Sequence, residues 1–188
     1  WALASATLFA GLGMLALHAF GDRIAGYYVM PLFLGAVTLP MLALGEVYDG
    51  TTRAFSWAGL SLWPGFIARP LLILAAMAAA VSLGFEPDAV TAMGSVVVAV
   101  YATTAAQIVL TQLRLRAVVP AGPRRYRTLH WIGIALPVFV VEGFFNLLTN
   151  IDILMVGWFM PPDQVAVYFA AARTLALVHF VYFAVRAG

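Results

Sequence analysis

The chain contains no cysteine and no lysine. Without thiols it has no disulfide framework, no thiolate nucleophile and no cysteine-ligated metal. Its ten basic residues are all arginine. Charge of either sign is scarce, at 10% of 188 residues against 64% hydrophobic, with a mean hydropathy of +0.98. A soluble domain carries about 25% charged residues; here too few polar side chains exist to coat a soluble globule, and the chain reads as an all-α integral membrane protein. A net charge of +2 gives no argument for nucleic acid. Catalytic signatures are also missing. There is no phosphate loop, no HExxH, no nucleophile elbow in "GSVVVAVYATT" and no defensible carboxylate pair, and His18, His130 and His179 are too scattered to make a ligand set. No enzyme activity, cofactor or metal is expected. The chain opens on Trp1 without a charged leader or cleavage site and closes on Gly188 straight after an apolar stretch. Both ends read as cut, and the chain as an internal piece of a longer membrane protein.

What is present is apolar length. A bilayer core needs roughly 20 mainly apolar residues per helix. Six stretches qualify, at about 1–20, 27–48, 63–83, 90–113, 131–160 and 164–186, with the amphipathic, Trp-bearing 55–62 as an interfacial extension of the third. Barrel strands would alternate with period two over about ten residues; "LLILAAMAAAVSL" and "VVVAVYATTAAQIVL" do not. Gly and Pro punctuate the connections "FGDRIAG", "YDGTTRAFS", "GFEPDAV", "RLRAVVPAGPRRYRTLH" and "MPPDQ". Arginine is distributed unevenly between the two sides. Arg53, Arg114, Arg116, Arg124, Arg125, Arg127 and Arg186 fall on one side and Arg23 alone on the other, which predicts that the side with the basic 116–130 loop is cytoplasmic. That loop reads first as a topology anchor, compatible with contact to anionic membrane lipids. Trp57, Trp63, Trp131 and Trp158 fall where an aromatic belt is expected.

Charges inside the spans cost roughly 2.5–3.5 kcal/mol each on insertion scales, so Arg69, Glu142, Asp152 and Arg173 stand out. Arg69 lies about 9 Å in from Trp63, where it either snorkels or meets an anion in a cavity. At 100° per residue, Glu142, Asn146, Thr149 and Asn150 fall at roughly 0°, 40°, 340° and 80°, a single polar stripe, opposite Val140, Val141, Phe144 and Leu148. A stripe of this kind lines a cavity or hydrogen-bonds to a neighbouring helix. Asp152, at roughly 280°, lies beside it. Asp152 and Arg173 sit at about 12 and 14 Å from the same end of two antiparallel helices, which predicts contact between them, directly or through one water. That contact is either a static pair or one that a substrate anion or a proton opens. Glu142 and His179 are matched in depth too, where a packed interior histidine is the simpler reading.

The segment "NIDILMVGWFMPPDQVAVYFAAARTLAL" resembles a helix–turn–helix of the polysaccharide and oligosaccharide flippases (Wzx-like) of the multidrug/oligosaccharidyl-lipid/polysaccharide (MOP) exporter superfamily. Asp152, Gly157, Pro162, Asp163, Val167, Tyr168, Ala171 and Arg173 carry the likeness. "GEVYDGTTRAFSWAGLSLWPGFIARPLLIL", with its Arg69–Pro70 pair, is similar to the family's cytoplasmic loop before the fifth helix. The resemblance implies part of a two-lobed transporter. Residues 1–115 would be the last four helices of the first lobe, 116–130 the cytoplasmic inter-lobe loop and 131–188 the first two helices of the second. It also implies alternating access in a bacterial inner membrane and a polyprenyl-pyrophosphate-linked saccharide as substrate in surface polysaccharide assembly. From the charges and the polar stripe inside the spans, Arg69, Glu142, Asn146, Asn150, Asp152 and Arg173 are the candidate cavity residues. Glu142 departs from that pattern and leaves the substrate charge open. The alternatives are a drug or cation antiporter of the MATE type, in which Glu142 or Asp152 would bind the proton or cation, and a non-transporting membrane component of polysaccharide synthesis.

Overall fold

The computed structural model describes residues 2–21, 26–120, 122 and 127–187, with 176–187 as backbone only. The chain is helical almost throughout, and no strand occurs among the described residues. Its elements are α1 (Ala2–Phe20), α2 (Gly26–Ala54), α3 (Ala58–Leu62), a π-helical segment (Trp63–Ala68), α4 (Arg69–Ser82), α5 (Ala89–Val118), α6 (Thr128–Phe159) and α7 (Pro162–Ala187). The segment from α3 through α4 is one continuous helix, Ala58–Ser82. With α1, α2, α5 and α6 it makes five helices among the described residues that are long and apolar enough to cross a membrane. The chain is an all-α, multi-pass membrane protein. A helix also occupies the sixth expected stretch, as α7. Arg23, Arg124 and Arg125, and the side chains of His179 and Arg186, lie outside the described residues.

Two boundaries differ from expectation. The second helix, expected to end near 48, runs to Ala54. Its last turns are polar but held by the i,i+4 pair of Arg53 Nη2 with Asp49 Oδ2, at 2.5 Å. The fourth long helix, expected to end near 113, runs to Val118. Arg114 and Arg116 are therefore helical rather than in the loop, and Arg116 lies in the last turn, where a cation meets the negative end of the helix dipole.

Helix ends follow capping chemistry. After α4, Gly84 adopts φ +94°, its amide bonds the Val81 carbonyl at 3.0 Å and the Phe85 amide reaches Ala80 O at 3.1 Å, which is the Schellman pattern. The same pattern ends α2, with Ser56 at φ 56°, Ser56 N donating to Arg53 O and Trp57 N to Thr52 O, both at 2.9 Å. A non-glycine residue in that conformation costs about 1–2 kcal/mol. At the start of α5, extended Asp88 accepts from the Thr91 amide at 2.8 Å, and this bond holds its carboxyl below the usual aspartate range.

The chain forms two compact units, Trp1–Gly122 and Pro123–Gly188. In the first, α2 packs on α1 and on α5, and α5 packs also on α4. The buried face of α5 repeats every four residues through Ser95, Ala99, Thr103, Gln107 and Thr111, with Val100 and Thr104 beside it. Small and hydroxylic residues let helix backbones approach closely where lipid removes the hydrophobic drive to associate. In the second unit, α6 and α7 form a hairpin closed by Gln164 N and Val165 N on Pro161 O, at 3.0 and 3.2 Å. Asn150, Ile153 and Val156 of α6 and Val165 and Ala172 of α7 are half-buried, and no residue of α6 is fully buried within the chain.

Candidate functional site

Prolines decide where polar side chains are needed in the first unit. Pro64 has no amide to donate to the Leu60 carbonyl four residues back. Gln107, buried on α5, supplies a donor instead, with Nε2 a long 3.5 Å from Leu60 O. Pro40 likewise leaves the Ala36 carbonyl without its helical donor, and the adjacent Val37 carbonyl accepts from the Tyr101 hydroxyl at 3.0 Å. Between Trp63 and Ala68 the helix widens, so that the Arg69 amide bonds Pro64 O, five residues back. π turns of this kind re-aim the residues that follow and are frequent at functional sites.

The widened turn gives Arg69 a place on the wall of a polar cavity of about 330 Å³, shared with Gly45, Glu46, Asp49, Ser61 and Gln107. Arg53 lines it too and is 65% exposed. Arg53 Nε donates to Ser61 Oγ at 3.2 Å, and Ser61 Oγ in turn donates to Asp49 Oδ1. Arg69 is half-buried, its Nε is fully enclosed without an acceptor, and its side chain makes no hydrogen bond or ion pair among the described residues. Close by, Arg114 lies over the Trp57 ring at 4.8 Å, and Gln112 Nε2 donates to the Tyr48 hydroxyl at 2.8 Å.

In the second unit, the stripe residues fold back on their own helix. Asn146 Nδ2 donates to Glu142 O and Asn150 Nδ2 to Asn146 O, both at 2.9 Å, and Thr149 Oγ1 donates to Phe145 O at 3.0 Å. Among the described residues Asn146 keeps one amide N–H free, Asn150 gives its second to Thr149 Oγ1 at 3.3 Å, and the stripe also presents side-chain carbonyl oxygens and the Glu142 carboxylate. Val140, Val141, Phe144 and Leu148, opposite, are exposed as well, while Asn150, at the far end of the stripe, is half-buried with Ile153 and Val156 in the hairpin.

The expected direct contact between Asp152 and Arg173 does not form. Asp152 Oδ2 accepts from the Tyr168 hydroxyl at 3.0 Å, while Arg173 lies over the Phe169 ring at 5.0 Å. Depth is the reason. With α6 ending at Phe159 and α7 beginning at Pro162, Tyr168 is nearly level with Asp152 and Arg173 lies about one turn deeper. Of the six candidate residues, Glu142, Asn146 and Asn150 share a stripe, Asp152 and Arg173 flank it with other partners, and Arg69 belongs to the first unit's cavity. Sequence reasoning missed Tyr168, Gly45, Glu46, Asp49, Ser61 and Gln107. The i,i+4 spacing of Asp49 and Arg53 and the four-residue repeat on α5 were the signals available.

No protein-family model, curated protein or solved structure matches the chain.

Proposed function

We propose that the chain works in the transfer of lipid-linked oligosaccharide across a bacterial inner membrane, as part of an alternating-access flippase in surface polysaccharide assembly. The stripe Glu142–Asn146–Asn150 carries this reading. It is polar on a helix whose mean composition is that of a span, and a polar face in a span marks a cavity or a partner more often than lipid. Support comes also from Arg173, an intramembrane guanidinium with no carboxylate partner among the described residues, whose planar fork matches the oxygens of a pyrophosphate. The test is complementation of polysaccharide export by the whole protein in cells. Arg173→Gln and Asn146→Leu, at unchanged membrane abundance, lower export at least tenfold. Full export by both variants sinks the flippase reading and leaves a non-transporting component.

A second reading is favoured by one observation: each stripe asparagine ties an amide N–H to its own backbone, and its side-chain carbonyl oxygen, with the Glu142 carboxylate on the same stripe, is an acceptor that suits a cation or proton. In a drug or cation antiporter, Glu142→Gln abolishes ion-coupled efflux and Arg173→Gln leaves it intact. The flippase reading expects the reverse order of severity.

A further inference from the structure

Arg69 is a half-buried guanidinium whose enclosed Nε has no acceptor. Its guanidinium carries five N–H groups and uses none on the described residues, and its Nε is sealed from solvent. An enclosed N–H left without an acceptor is destabilising. Nearby carboxylates do not serve it. Asp49 is taken by Arg53 and Ser61. Glu46 lines the same cavity but is exposed and makes no ion pair. Space has been left in front of the fork. A Cβ on Gly45 would sit 3.6 Å from Arg69 Nη2 and 3.4 Å from Thr104 Oγ1. Thr104 is itself wholly buried, with a hydroxyl that bonds to nothing. The two Cβ distances are ordinary contacts, so a methyl group would fit there, and Gly45 leaves that part of the wall without a side chain.

We propose that this cavity is an oxyanion site, in which the Arg69 fork holds one phosphoryl group and Glu46 on the wall lowers its affinity. The lining carries two guanidinium groups and two carboxylates; with Asp49 paired to Arg53, Arg69 is the cation left without an ion pair there. A tetrahedral oxyanion gives two oxygens to the fork and keeps others for Arg53, a reach that a planar carboxylate lacks. A volume near 330 Å³ takes such a group with accompanying water. The phosphoryl group belongs either to free phosphate or to the headgroup of an anionic lipid. The site stands independently of the flippase reading: loss of export with binding intact leaves it in place, and loss of binding with export intact removes it alone.

The test uses the whole chain in nanodiscs. In purely zwitterionic lipid, inorganic phosphate is titrated and followed by phosphorus-31 line broadening and by melting temperature. Saturable binding is expected, at least tenfold weaker in Arg69→Gln, as the loss of charge-assisted hydrogen bonds of about 1.5–3 kcal/mol implies. Binding is also weaker in Arg69→Lys, which keeps the charge and loses the fork, and severalfold tighter in Glu46→Gln. In nanodiscs containing phosphatidylglycerol, a headgroup source raises the melting temperature of the unaltered chain and blocks phosphate, and does neither in Arg69→Lys. A free-phosphate source leaves the titration unchanged. The proposal is overturned if neither phosphate nor phosphatidylglycerol acts on the unaltered chain. It is equally overturned if the effect persists undiminished in Arg69→Lys. Should Arg69→Gln fail to fold, an unchanged phosphate affinity in Glu46→Gln overturns it as well.

Discussion

At the scale of single residues, Asp152 carries the clearest correction. An acid inside an apolar helix announces itself, and so does an arginine on the facing helix. A tyrosine in "VAVYFAAAR" does not, because its ring reads as packing and its hydroxyl becomes informative only when its depth is known. The hydroxyl donates to Asp152 at 3.0 Å, one turn short of Arg173. Groups that share a bond couple, and groups that do not are additive. In detergent, Asp152→Asn combined with Tyr168→Phe is expected to lower the melting temperature by less than the sum of the single losses. Asp152→Asn with Arg173→Gln is expected to be additive, and the opposite pattern restores the ion pair. The same limit applies to Gln107, Thr104 and Gly45. Their roles come from a carbonyl stripped of its donor by Pro64 and from a backbone approach across two helices, neither of which is encoded locally.

At the scale of elements, apolar length was enough to find the helices, because a span needs about 20 such residues and little else. Polarity misled at two ends, since Asp49, Arg53, Arg114 and Arg116 interrupt the hydrophobic pattern without interrupting the helix. The π turn was hinted at by Pro64, Gly65 and Pro70, but its register was not legible. The face of α5 was missed because small and hydroxylic residues have little hydropathy to show. That face makes a firm prediction. Ala99 is 0% exposed against closely approaching helices, so Ala99→Leu overpacks it and costs about 1–3 kcal/mol. Val98→Leu, one residue along and 62% exposed, is expected to be near neutral. Unfolding of the two variants in detergent checks the difference; equal stability means that α5 does not pack through this face.

At the scale of the whole molecule, the uneven placement of arginine sets an orientation, and the absence of cysteine makes it easy to test. Arg116→Cys is expected to react with a membrane-impermeant maleimide only after the cytoplasmic side is opened, and Glu86→Cys to react in intact cells. Both positions are exposed, so silence is not a matter of burial; the reverse labelling inverts the molecule. One property of the first unit reaches further. Ser95 and Thr103 turn their hydroxyls onto their own helix, to Thr91 O at 2.9 Å and Ala99 O at 2.7 Å, and so do not tie α5 to α2. Between those two helices the side-chain hydrogen bonds among the described residues are Tyr101 to Val37 O and Gln112 to Tyr48. A contact built from methyls, hydroxyls and bare backbone is held by van der Waals packing, so among the described residues its polar anchoring rests on those two bonds.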